Sequence, residues 1–178
     1  MLIWSSDKRY SITTHGQAAL IGDSVPTGLF INNEFVPSIG GNTLDVLNPL
    51  NETKIATLAA ATAADIDKAV LAASKVYESH WRHSLPSLKS SLLMKLADLI
   101  ERDADEIATI EAVDAGILFG ESKHLHVPNA VETLRYFATL PHKASGLNLK
   151  IPGGAATTAR EPYGVCAAIV PWNAPLSV

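Results

Sequence analysis

Cysteine is nearly missing from this 178-residue chain: Cys166 stands alone. A single thiol excludes an internal disulfide and fits a reducing compartment. No apolar run approaches the roughly 20 residues that span a bilayer, so no membrane segment is expected. The opening Met1-Leu2-Ile3-Trp4-Ser5-Ser6-Asp7-Lys8-Arg9 lacks the charge-then-apolar order of a signal peptide. Lys8 and Arg9 are the only Lys or Arg before residue 54, which argues against a mitochondrial presequence. The expected location is therefore cytoplasmic. Positive charge is scarce: 14 Lys and Arg stand against 18 Asp and Glu, for a net charge of -4. They form no basic patch, so a nucleic-acid partner is not expected. G-x-G-x-x-G, the P-loop and G-x-S-x-G are all absent. So are internal repeats and low-complexity tracts.

What is present reads as a soluble globular chain, 47% hydrophobic and 18% charged. Its length points to one domain. Residues 1–27 show no sustained period and read as an N-terminal arm, with 28–178 forming the body. Phe30-Ile31-Asn32-Asn33-Glu34-Phe35-Val36 is a tight hairpin signal, since Asn tolerates the left-handed conformation. Short strands follow at Thr43–Leu47 and Lys54–Ala59. Thr62-Ala63-Ala64-Asp65 has capping-box spacing, and Ile66, Val70, Ala73 and Tyr77 carry an amphipathic helix over 63–79. Beyond Pro86, Leu88, Leu92, Leu96 and Leu99 mark a second helix. The run Arg102–Glu106 separates it from a third, with Ile107, Ile110 and Val113 as its buried face and Gly116 as its C′ residue. A fourth starts around Pro128, with Val131, Leu134, Phe137 and Leu140 on its apolar face. Leu147–Ile151 alternates apolar and polar, Pro152-Gly153-Gly154 turns, and Ala155–Arg160 returns as a partner strand.

The chain is organised around its last stretch, Gly164 to Leu176. Seven uncharged residues, Gly164 to Val170, run into Pro171-Trp172-Asn173-Ala174-Pro175. A short apolar run bounded by turn signals predicts a strand buried on both faces, over 164–170. Pro171 and Pro175 then stop the ladder, because proline has no N–H to give it. In open α/β sheets ligands bind outside the carboxyl ends of strands. An Asn there can donate its amide N–H groups to a developing oxyanion.

These residues resemble the aldehyde dehydrogenase superfamily, in which a strand ends in Pro-Trp-Asn. The resemblance extends from about Leu29 to the last residue. It takes in Asn48-Pro49, Lys95–Glu101, Leu134-Arg135-Tyr136-Phe137 and Arg160-Glu161-Pro162-Tyr163-Gly164-Val165. Where that superfamily has an aromatic after Asn, this chain has Ala174. The resemblance implies an α/β chain with a partial aldehyde dehydrogenase-like fold: an incomplete Rossmann-like cofactor domain, N-terminal helices and an oligomerisation hairpin at 147–160. It implies oxidation of an aldehyde to a carboxylic acid with NAD or NADP. Ile169, Val170, Pro171 and Trp172 then contact the nicotinamide half of the cofactor, and Asn173 is the oxyanion donor. The superfamily's cofactor-binding Lys and Glu, its Glu base and its Cys nucleophile fall after residue 178. By itself the chain is therefore expected to be inactive. The alternative expectation is a non-catalytic truncated subunit that docks on full-length relatives through 147–160.

Two readings fit Asn173 by pattern: an oxyanion donor, or a turn Asn bonded to its own backbone. The resemblance favours the first. Trp172 either lines the cofactor crevice or packs in the core. Cys166 is expected to be a small buried core residue, inert for want of a cationic neighbour. Asp114 sits where some members of the superfamily build a cation site. Here Ile117-Leu118 follows in place of their Lys-Pro, and capping or turn formation is the expected role. His124 with His126, and His80 with His83, lack further ligands, so no metal centre is expected.

Overall fold

Asn32 and Asn33 have φ of 53° and 68°, both in the left-handed region. A two-residue hairpin loop of this kind matches the twist of the strands it joins. It connects β1 (Leu29–Ile31) to β2 (Glu34–Val36), and Phe30 meets Phe35 across the pair with ring centroids 4.8 Å apart. The structure, a computed structural model, describes residues 25–177. Most of the expected N-terminal arm lies outside them. Thr27, at its end, is tied down: its carbonyl accepts from Ala59 N–H at 2.9 Å.

β3 (Thr43–Leu47) and β4 (Lys54–Ala59) pair antiparallel, with a register shift at Val46/Leu47. Their connection starts with an Asx turn, in which Asn48 Oδ1 accepts from Leu50 N–H at 2.9 Å. On the ladder, Asp45 takes the Lys54 ammonium at 2.8 Å and the Thr57 hydroxyl at 3.0 Å. Those two donors, Lys54 first, hold its carboxyl below the ordinary 3.8.

Helix α1 (Ala63–Val76) begins at a complete capping box between Thr62 and Asp65. The sequence predicts a helix to residue 79; the helix instead widens to π geometry over Tyr77–Trp81. Its expected apolar face stays open, with Ile66 54% and Val70 46% exposed. Helix α2 (Pro86–Arg102) starts on proline, which is preset for a first turn. The chain breaks at Asp103, where the sequence places the break, and α3 (Ala104–Ala115) follows.

Helix α3 ends on Gly116 at φ 70°. A Cβ there would also lie 2.9 Å from Pro49 Cγ, so the glycine both caps the helix and lets the β3–β4 connection approach it. Gly116→Ala should therefore cost about 1–2 kcal/mol, the usual penalty for a left-handed non-glycine residue. Urea denaturation checks this: the midpoint should fall with little change in slope.

A short turn, α4 (Phe119–Glu121), and a π segment over Ser122–His126 lead into α5 (Val127–Ala138). Helices α2 and α5 are the main packed pair. Ala97, Val127 and Val131 form the core, flanked by Ile100, Ala104, Ile107, Leu134 and Leu176. Ala97 is fully buried, which lets the helices approach closely. On the rim Arg135 of α5 reaches Glu101 at 2.7 Å and Asp98 at 2.9 Å on α2. Those hydrogen bonds, Glu101 first, raise the guanidinium pKa. Val131 is buried as the sequence predicts, but Phe137 is half exposed.

β5 (Asn148–Ile151) and β6 (Gly154–Thr157) pair through a Pro152-Gly153 turn, with Gly153 at φ 84°. Leu147 and Thr158 extend the ribbon by two further hydrogen bonds of 2.8 Å. Every residue of β5 is exposed.

The strand expected over 164–170 is not formed. Among the described residues the strands make three separate two-stranded antiparallel ribbons. None pairs with this segment, and a strand buried on both faces needs a neighbour on each side. Cys166 is accordingly exposed, not a core residue as its apolar setting suggests. Its thiol faces Gly164 O at 3.7 Å.

Candidate active site

The segment that carries the predicted site runs along the surface. Ile169 is fully exposed, Val170, Pro171 and Asn173 are exposed, and Trp172 is 79% exposed. The structure therefore presents the five residues as one continuous exposed run. Trp172 does not pack in the core. The Asn173 amide makes no side-chain hydrogen bond to another described residue, so it does not close an Asx turn on its own backbone. Among the described residues no side-chain hydrogen bond takes up its two N–H groups.

Immediately after the run, the chain is held. Ser177 N–H donates to Ala174 O at 3.1 Å, closing a turn. Leu176 inserts beside Ala97, Val127 and Val131 in the helical core. Its backbone N–H faces Glu111 Oε1 at 3.5 Å. Glu111, on α3, is 4% exposed and is the acceptor of a small polar network. The fully buried Ser122 hydroxyl donates to Oε2. His126 Nδ1 lies 3.0 Å from the same oxygen. In the tautomer with its proton on Nδ1, the imidazole donates to that oxygen.

Sequence reasoning missed this network. Glu111 stands four residues after Ile107, on the face that Ile107, Ile110 and Val113 predict to be buried. A carboxylate on an apolar stripe needs a partner, and that was the available signal. His124 and His126, two apart in sequence, face differently: His124 is exposed while His126 turns inward.

Upstream, Gly164, Val165 and Cys166 line one side of a groove of about 630 Å³, whose other walls are the β1–β2 hairpin, the Ala69–Val76 face of α1, and Tyr77 and Trp81 of the π segment. Asp114 is exposed near the end of α3. Among the described residues no three His, Cys, Asp or Glu side chains converge as a metal site would require. Nor is any described helix long and apolar enough to cross a membrane.

The Aldehyde dehydrogenase family model matches residues 35–178. An aldehyde dehydrogenase from Alternaria alternata is 45% identical over 152 residues, covering 85% of this chain and 31% of that protein. The crystal structure of an aldehyde dehydrogenase from Brucella melitensis biovar abortus 2308 superposes with a TM-score of 0.80 at 29% identity, over 85% of this chain and 31% of that one. PnpE in complex with nicotinamide adenine dinucleotide superposes with a TM-score of 0.69 at 34% identity, over 72% of this chain and 26% of that one. The 178 residues thus span about a third of the length of the relatives they match. Mixed helices and ribbons, a matching backbone and the matched sequence agree: the chain belongs to the aldehyde dehydrogenase family and carries part of its fold.

Proposed function

We propose that these residues serve an NAD- or NADP-dependent oxidation of an aldehyde to a carboxylic acid, as the amino-terminal portion of the catalytic unit. The observation that carries this reading is the Pro171-Trp172-Asn173 run, which is exposed and hydrogen-bond-competent yet tethered three residues later by Leu176. In this role the Asn173 amide donates to the oxygen that becomes negative when a nucleophile adds to the aldehyde carbon. The nicotinamide cofactor supplies the hydride acceptor. Ile169, Val170, Pro171 and Trp172 carry no charge and stand exposed side by side, which fits a wall against an aromatic ring. A nucleophile and a base are also needed. In this reading Cys166 does not supply the first, since the groove it lines carries no Lys, Arg or His.

The ribbon β5–β6 belongs to the same reading. A lone two-stranded ribbon is marginal in water, and its exposed Leu149 and Ile151 favour pairing with another subunit. We place the protein in the cytoplasm on its cysteine-poor composition.

The test is aldehyde-dependent reduction of NAD or NADP by a chain carrying these 178 residues ahead of a segment that supplies the nucleophilic cysteine. Reduced cofactor and carboxylate should form in equal amounts. Carboxylate without reduced cofactor, or neither product, would overturn the reading.

A further inference from the structure

We propose that Glu111 is a positioning residue for the Asn173 loop. For its consequence in catalysis this rests on the reading of Asn173 given above; the tethering itself does not. Three groups from two different parts of the chain converge on its one carboxylate. From the π segment before α5, Ser122 donates to Oε2 and His126 Nδ1 lies 3.0 Å from the same oxygen. That fixes the rotation of the carboxylate and leaves Oε1 turned to Leu176 N–H at 3.5 Å. The contact spans 65 residues of sequence. It acts together with the Leu176 side chain, which sits against Ala97, Val127 and Val131. The side chain sets the depth of the loop and the backbone contact sets its rotation about that anchor. Asn173 lies three residues upstream, and the turn closed by Ser177 N–H on Ala174 O leaves little slack between them.

Burial makes the arrangement specific. Glu111 is 4% and Ser122 0% exposed, so water cannot replace a lost partner without opening the interface. A glutamine at this position has one acceptor oxygen where the carboxylate has two, facing Ser122 and His126 on one side and Leu176 N–H on the other. Either Leu176 N–H or the Ser122–His126 pair then meets an amide N–H.

Two measurements test the proposal, one on the tether and one on catalysis. In the 178-residue chain, Glu111→Gln and Glu111→Ala should speed hydrogen exchange at the Leu176 amide by about ten-fold or more, while amides in the middle of α2 keep their rates. Unchanged Leu176 exchange in the folded Gln variant would overturn the proposal, whatever the kinetics show. If Glu111→Ala does not fold, Glu111→Gln carries the test, since it keeps the shape of the side chain. In the extended, active chain, Glu111→Gln should lower kcat about ten-fold with KM nearly unchanged. The same substitution on top of Asn173→Ala should cost almost nothing further, because neighbours acting through one group are not additive. Full additivity of the two losses would overturn the positioning role. If instead Asn173→Ala alone leaves kcat unchanged while Leu176 exchange still depends on Glu111, the tether stands and the reading of Asn173 fails.

Discussion

Asn173→Ala in the extended, active chain is expected to lower kcat by about 10²–10³, with little change in KM. Removing one preformed oxyanion donor has that effect elsewhere, because the donor's hydrogen bond strengthens only as charge develops on the oxygen. The structure makes the substitution clean. Asn173 is exposed and its amide holds no other described residue, so truncating it removes no packing among the described residues. Leu176, which holds the loop, is untouched. Steady-state kinetics with a fixed aldehyde and saturating cofactor reads the outcome. A rise in KM at constant kcat would instead mean that Asn173 binds substrate and transition state alike.

The largest expected effect on stability is at Asp65. Its carboxylate is 1% exposed and serves two segments at once. It accepts from Thr62 N–H and from the Thr62 hydroxyl, both at 2.8 Å, at the start of α1. It also accepts from the Ser38 hydroxyl at 3.1 Å and from Ile39 N–H at 3.0 Å, in the loop after β2. Asp65→Ala strands all of these donors and unties that loop from the helix. The melting temperature should drop by several degrees or more. Acid should do the same in the unsubstituted protein. The Thr62 backbone bond first, then the Thr62 hydroxyl, Ile39 and Ser38, hold the carboxyl down from the ordinary 3.8 to about 2, against the opposing effect of burial. The folded state therefore binds this proton less readily than the unfolded chain. The stabilisation is fully present above about pH 4 and drains away as the pH falls toward 2. Denaturation followed from pH 5 to pH 2 checks the assignment. Asp65→Ala should show a shallower loss over that window, and an equal slope in both proteins would contradict it.

Much of the fold was legible because the informative signals are local. Asn32-Asn33 admits left-handed backbone, Thr62-x-x-Asp65 caps a helix, and Gly116 ends one; each depends on residues close in sequence. The segment 164–170 was misread for the opposite reason. Its apolar composition reports what environment it suits, and a strand also requires partners that composition does not name. The described chain supplies none, so Cys166 faces outward and Ile169 stands free. The π geometry at Tyr77–Trp81 and Ser122–His126 likewise left no mark in the spacing of apolar residues. In the site, Asn173 and its neighbours were legible as a motif, while Glu111 was not, because its partners Ser122, His126 and Leu176 lie 11, 15 and 65 residues away.

One assay bears most directly on the proposed role: aldehyde-dependent reduction of NAD or NADP, measured side by side on the 178-residue chain and on the same chain extended through a segment bearing the nucleophilic cysteine. The expected result is turnover by the extended chain and none by the 178 residues alone, since in the proposed reading these contribute Asn173 as oxyanion donor and Ile169 to Trp172 as cofactor wall, while the cysteine nucleophile comes from the extension. Turnover by the 178 residues alone would contradict it and would place a nucleophile among them.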